Sequence, residues 1–265
     1  MNKLFKKFNT AMHLDLRWAF KFTKKHTLKW LSYYFSKLQG KTTYMTHIDG
    51  TEIILGFAHP YHHLIAKHFL KNQFEYNLLC MWQKEARKSD IIIDVGSYNG
   101  IYALVAKKAN PQAKVIAIEP EAVNLEHIRE NAKINDVDIV VLNAVVSNIV
   151  GKVQFACTKG GTGGFIGEGV EVSSVTLDSL LKNEKYTKIL IKLDVEGAEY
   201  NVLQSAVETL QKDMTILLEV HKEFIKKCGK TSADLHTLVH AIGYRLLWLD
   251  ENPLTAHYWM IKQPS

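Results

Sequence analysis

Ile91-Ile-Ile-Asp-Val-Gly-Ser-Tyr-Asn-Gly-Ile-Tyr-Ala-Leu-Val-Ala106 is the stretch on which the fold turns. It opens with a short apolar run, passes through a turn holding Gly96 and Gly100, and continues into an apolar helical stretch. A strand buried on both faces reads as a near-continuous apolar run, so this is the strand–loop–helix unit of a parallel sheet. The unit recurs. Strands are predicted at 114–119, 138–145, 152–157, 189–193 and 215–220, and helices at 101–109, 124–135, 177–181, 198–210 and 232–242. Residues 244–249 and 257–261 close the chain as a hairpin around Asn252-Pro253. Such alternation defines an α/β chain with helices on both faces of a mostly parallel sheet and an antiparallel C-terminal edge hairpin. Upstream, Asp49-Gly50 between two apolar runs predicts a further hairpin over 42–57, with helices at 60–72 and 75–88. Gly160–Gly169, with six glycines in ten residues, reads as a mobile loop.

The first loop sits where an open α/β sheet binds its ligand, at the carboxyl end of a strand. Its glycine spacing is G-x-x-x-G. That is neither the G-x-G-x-x-G of dinucleotide folds nor a loop ending in Gly-Lys-Ser/Thr, so it is not a pyrophosphate cradle. Glu119 ends the next strand and Pro120 follows it. A carboxylate there can accept both hydroxyls of a ribose. Together these features indicate a nucleoside-bearing ligand without a phosphate cradle, and S-adenosylmethionine (SAM) meets that description.

The second informative stretch is Ile189-Leu-Ile-Lys-Leu-Asp-Val-Glu-Gly-Ala-Glu199. A two-residue period puts Lys192 and Asp194 on one face of a strand, and a buried Lys needs such a partner. Glu196 and Glu199 follow in the turn, where Glu199 suits the start of a helix. Leu218-Glu-Val-His221 closes the next strand, and His221 is a candidate general base. Asp194, His221, Lys192 and Glu196 are therefore the candidate catalytic residues.

These segments, with Asn143-Ala-Val-Val-Ser147 and Thr176-Leu-Asp178, resemble the FkbM family of SAM-dependent methyltransferases over about residues 90–221. The resemblance implies the class I methyltransferase fold, a Rossmann-like, doubly wound sheet of seven strands. It implies methyl transfer from SAM, usually to a hydroxyl of a sugar, glycolipid or secondary metabolite. By position, Asp94, Gly96, Ser97, Asn99 and Gly100 would hold the methionine part, Glu119 and Pro120 the ribose, and Asn143 and Ala144 would lie beside the adenine. One departure stands in the first loop: Gly96-Ser97-Tyr98-Asn99 replaces the family's usual Gly-Ala-Asn. Some relatives of this fold use a divalent metal. Asp194 and His221 are potential ligands, but two ligands do not define a site, so a metal is not favoured.

Composition is consistent with this reading. The 265 residues are 47% apolar and 23% charged, which excludes a disordered or collagenous chain. Cys80, Cys157 and Cys228 lie too far apart for a disulfide framework or a zinc ribbon, so a reducing, cytoplasmic setting is expected. Residues 1–40 carry nine Lys/Arg against one acid, for a net +8, while the remainder nets −2. The fold itself is thus not a basic nucleic-acid surface. The segment also holds Phe5, Phe8, Trp18 and Trp30, a composition suited equally to peripheral contact with an anionic membrane and to packing on the core or a second subunit. Neither a secretory signal nor a run of ~18 apolar residues is recognised. The domains expected are 1–40, a basic extension; 41–90, a hairpin and helices leading into the core; and 91–265, the methyltransferase domain. The histidines at 59, 62, 63 and 68, and the His236/His240 pair, lack metal-site spacing. A non-catalytic SAM-fold module and a nucleotide-sugar or NAD-dependent enzyme stay open as alternatives. A homo-oligomer also stays open.

Overall fold

A computed structural model describes residues 43–56, 75–157 and 164–263. The basic extension, the helix expected at 60–72 and the histidines at 59, 62, 63 and 68 lie outside the described residues. Strands β1 (Thr43–Ile48) and β2 (Thr51–Gly56) form an antiparallel hairpin turning at Asp49-Gly50, both at positive φ. Helix α1 (Tyr76–Ala86) leads into the alternating region. There follow β3 (Ile91–Val95), α2 (Ile101–Ala109), β4 (Lys114–Ile118), α3 (Ala122–Ile134) and β5 (Val140–Leu142). After an intervening small sheet, α4 (Leu177–Leu181), β10 (Ile189–Leu193), α5 (Glu199–Ser205) and β11 (Met214–His221) complete the parallel part. Helices α6 (Lys222–Lys227) and α7 (Ser232–Ala241) precede the closing pair β12 (Tyr244–Glu251) and β13 (Thr255–Lys262).

The main sheet is mixed, with seven strands in the order β12-β13-β11-β10-β3-β4-β5. β13 runs antiparallel to both neighbours, β11 and β12. The reversed strand therefore lies one place in from the edge, with β12 outside it. Strand order reverses direction between β3 and β10, the switch point at which open α/β sheets bind ligands.

Alternation sorts the strand residues between two cores. Ile91, Ile93, Val95, Ile189, Ile191, Leu193, Ile216 and Leu218 pack on one face with residues of α4, α5 and α7. Ile92, Leu190 and Leu217 point to the other, with α1, α2 and the hairpin. Continuing that second row toward the carboxyl ends replaces apolar residues by Asp94, Lys192, Asp194, Glu219 and His221, so one sheet face changes from core to chemistry along its length. The hairpin is stitched to α3: Asn135 exchanges hydrogen bonds with Ile54, and Asn131 Oδ1 accepts from the Gly56 amide at 2.8 Å.

Three expectations are corrected. The strand expected at 138–145 is two strands in different sheets. Asn143 donates to the Glu119 and Pro120 carbonyls at 3.2 and 2.8 Å, drawing the chain across the sheet end and separating β5 from β6 (Val145–Val146). The helix expected at 198–210 stops at Ser205, and a separate 3-10 turn follows at Thr209–Gln211, because Asp178 accepts from the Glu208 and Thr209 amides. The glycine-rich stretch is only partly a loop. β7 (Gly151–Cys157), β8 (Gly164–Ile166) and β9 (Val170–Val175) join β6 in a four-stranded sheet ordered β6-β9-β7-β8. At Gly169 a Cβ would meet the Phe155 carbonyl oxygen at 2.0 Å, so this glycine serves close strand packing. Residues 158–163 lie outside the described residues.

Candidate active site

A cleft opens at the switch point, lined by Gly96, Tyr98, Glu119, Ala144, Asp194 and Glu196 among others. Gly96 takes φ +75°, and a Cβ there would meet the Asp194 carbonyl oxygen at 2.2 Å. Only glycine lets the β3 loop approach the β10 end this closely. Tyr98, the residue that departs from the family pattern, takes a left-handed φ of 51° and directs its amide to Glu119 Oε2 at 3.0 Å. Glu119 Oε1 accepts from the Glu121 amide and from Asn124 Nδ2, each at 3.1 Å. Burial pushes the Glu119 carboxyl up to about 7 even so.

Of the residues expected around a cofactor, Gly96, Glu119, Pro120 and Ala144 line this cleft. The others support it from behind. Asp94, 1% exposed, accepts from the Ala103 amide in the first turn of α2, and burial raises its carboxyl to about 6. Ser97 Oγ donates to the Asp94 carbonyl and accepts from the Ile118 amide. Asn99 Oδ1 accepts from the Ile101 amide, and its carbonyl accepts from Asn131 Nδ2. Gly100 packs against Ile128, and Asn143 ties the strand ends together.

The four candidate catalytic residues come together beyond Gly96. Lys192 Nζ lies 2.7 Å from Asp194 Oδ2 and 3.8 Å from Glu219 Oε2. His221 Nε2 lies 3.3 Å from Glu196 Oε2 and 3.8 Å from both Asp194 Oδ1 and Glu219 Oε1. Burial opposes charge on the imidazole, but the hydrogen bond to Glu199 and the charges of Asp194, Glu196 and Glu219 raise it to about 9. At neutral pH His221 is a cation and cannot accept another proton. Burial, joined by the charges of Asp194 and Glu219, pushes Glu196 up to about 7, while His221 opposes the rise. Glu196, held at φ +50°, is therefore the carboxylate poised to exchange a proton near neutrality.

Sequence reasoning missed two acids and a histidine. Glu199 has no solvent exposure, accepts from the Gly197 amide at 3.0 Å and lies 3.4 Å from His221 Nδ1. Glu219 lies between Lys192 and His257, whose Nε2 is 3.5 Å away. Burial opposes its charge, yet the neighbouring His257 and Lys192 hold its carboxyl down at about 2. The Glu219-x-His221 alternation carried the signal for Glu219. His257 could not be found this way, because it comes from β13 and meets Glu219 only through strand pairing.

Asp194, Glu219 and His221 offer ligand atoms within 4.8 Å of one another, as do Glu75, Glu219 and His257. The Lys192 ammonium already stands between Asp194 and Glu219, and protonated His221 faces the remaining oxygens. The cluster is thus charge-compensated by the chain's own cations.

A glycine-turn cleft at the switch point, a strand-end glutamate and an acid-rich neighbouring strand end thus share one sheet edge. The family model for the methyltransferase FkbM domain matches residues 94–246. The chain belongs to that family. The hexuronic acid methyltransferase AglP of Haloferax volcanii is 26% identical over 152 residues, covering 56% of this chain and 62% of its own length. This chain thus spans less than two thirds of that relative. Among solved structures, the O-methyltransferase from Bacillus cereus has a TM-score of 0.46 at 12% identity, covering 71% of this chain and 81% of that one. Precorrin-6y C5,15-methyltransferase from Geobacter metallireducens has 0.45 at 11%, covering 71% and 89%. Among the described residues no helix is long and apolar enough to cross a membrane.

Proposed function

We propose that the protein methylates a hydroxyl group of a sugar or glycan, with Glu196 as the base. The observation that carries this reading is a single cleft lined by both Glu119 and Glu196, so a ribose-binding carboxylate and a proton acceptor share one site. The cleft residues fit SAM: Gly96 leaves room for the amino acid end, Glu119 offers carboxylate oxygens to a ribose, and Ala144, Val146, Ile118 and Phe155 provide apolar walls for an adenine. Bound there, SAM supplies an activated methyl group for in-line displacement. The chain's own residues align the acceptor oxygen and remove its proton, and alignment alone accounts for a large part of such a barrier. Glu196, near neutrality, takes that proton. His221, fixed by Glu199, holds Glu196 in place and stabilises the carboxylates around it. Burial and the charge of Glu219 raise the Asp194 carboxyl, and Lys192, paired with it beside the Gly96 turn, opposes that rise.

The sugar acceptor is supported by the AglP relationship, since that relative is a hexuronic acid methyltransferase. The test is incubation with SAM labelled in its methyl group and a panel of sugars and glycolipids, with S-adenosylhomocysteine measured as co-product. Methyl transfer to a hydroxyl, lost in Glu196→Gln with SAM affinity kept, supports the reading. Failure of the wild-type protein to bind SAM refutes it. The basic extension is a separate proposal. Its contact with anionic membrane is tested by flotation with anionic and neutral vesicles, where loss of flotation on removing residues 1–40 supports it and equal flotation of both forms refutes it.

A further inference from the structure

Glu119 has fewer free acceptor sites than a ribose needs. Its Oε1 accepts from the Glu121 amide and from Asn124 Nδ2, each at 3.1 Å, and its Oε2 accepts from the Tyr98 amide at 3.0 Å. An ionised carboxylate offers about four lone-pair sites, divided between its two oxygens. Oε1 is thus fully used, and Oε2 keeps one site. A ribose brings two hydroxyls on adjacent carbons. Glu119 can serve one of them, and the second needs another acceptor.

That acceptor stands two residues further on. Glu121 lines the same cleft, and its Oε1 is buried with no hydrogen-bond partner among the described residues. Glu121 occupies the cap position of α3, yet its side chain accepts nothing from the helix. A buried carboxylate oxygen without a donor is costly, so its place in the cleft points to a donor on the ligand. The turn that carries both carboxylates is fixed beforehand. Asn143 donates to the Glu119 and Pro120 carbonyls, and the Glu121 amide closes on Glu119. The carboxylates also act on each other: burial raises the Glu119 carboxyl, and the Glu121 charge adds to that rise. Hydroxyl protons donated to both would favour the two ionised forms together.

We infer that Glu119 and Glu121 divide the ribose of the cofactor, each accepting one of its two hydroxyls. This inference rests on the methyltransferase reading and adds a residue to its cofactor site. It also sets the chemistry of that subsite. Two neighbouring carboxylates accept a ribose with both hydroxyls free and repel one that carries a phosphate.

The test is calorimetric titration of the full-length protein with S-adenosylhomocysteine and with its 2′-deoxy and 3′-deoxy analogues. In the wild type each analogue should bind about tenfold or more weakly than the parent, as expected for loss of a hydrogen bond to a charged group. Glu121→Ala should weaken the parent by a similar factor. It should also cease to discriminate against one analogue while the penalty for the other persists, since removing both partners of one contact costs little more than removing either. Glu119→Ala should show the opposite selection. Glu121→Gln, which keeps the volume and an acceptor oxygen, should lose less affinity than Glu121→Ala and keep discrimination in the wild-type direction. A Glu121→Ala protein that binds the parent as tightly as the wild type would overturn the inference. So would one that loses affinity while still discriminating against both analogues as the wild type does, because Glu121 would then act on the adenine amine or on the fold. If the wild-type protein does not bind S-adenosylhomocysteine, the methyltransferase reading itself falls, and this inference with it.

Discussion

The imidazole Nδ1 of His221 lies 3.4 Å from Oε1 of Glu199, a carboxylate with no solvent exposure. The pairing fixes which ring nitrogen faces inward and leaves Nε2 toward Glu196, 3.3 Å away. Glu199→Gln weakens the hydrogen bond that helps to hold the imidazole up near 9, so the His221 pKa should fall toward the ordinary histidine value. Histidine-selective NMR titration measures this. A His221 titration identical to wild type would show that Glu199 does not set the charge state.

Glu196 should govern the acid limb of the pH–rate profile. Its carboxyl lies at about 7, and only the deprotonated form can accept a proton, so kcat should rise through that pH. Glu196→Gln should lower kcat by about two orders of magnitude or more with SAM affinity nearly unchanged. A variant with the same profile and rate as wild type would leave Glu196 without a chemical role.

Glu119→Ala should weaken SAM binding about ten- to a hundredfold, the usual cost of losing a charged hydrogen-bond partner. It should also lower the melting temperature, because the amides of Tyr98 and Glu121 and the Asn124 side chain lose their acceptor. Calorimetric titration and circular dichroism read the two effects separately. An unchanged dissociation constant would place the ribose elsewhere.

Stability should decline from mildly acidic to alkaline pH. Glu119 and Glu196 are raised to about 7 in the folded state, so the native protein binds more protons than the unfolded chain between the ordinary glutamate value and 7. His221, raised to about 9, contributes stability fully present below the ordinary histidine value and lost as pH rises toward 9. Glu219, held at about 2, acts the other way, and its contribution disappears as pH falls through that value. Calorimetric scans from pH 5 to 9 should therefore show a falling melting temperature, with a shallower slope in His221→Gln. A melting temperature that rises over this range would contradict the assigned charges.

Chelation should leave turnover unchanged, because Lys192 and protonated His221 already compensate Asp194 and Glu219. Loss of activity in EDTA, restored by Mg²⁺, would mean that a cation displaces the His221 proton.

The sequence by itself determined the alternation of β3, β4, β10 and β11 with their helices. Short apolar runs bounded by turns and alternating with helical stretches read as buried parallel strands. It also placed Gly96, Glu119, Asp194 and His221 at strand ends on one sheet edge, because period and polarity are local properties. Tertiary structure alone decided the rest. The break at Asn143 depends on carbonyls of Glu119 and Pro120 contributed by another strand end. The strands β8 and β9 are glycine-rich or polar, and pairing with β7, with Gly164 and Gly169 set against Phe155, makes a sheet of them. His221 was legible as a strand-end histidine, but its charge was not. That charge comes from four carboxylates on three segments, and an electrostatic field is a sum over space that chain order does not record.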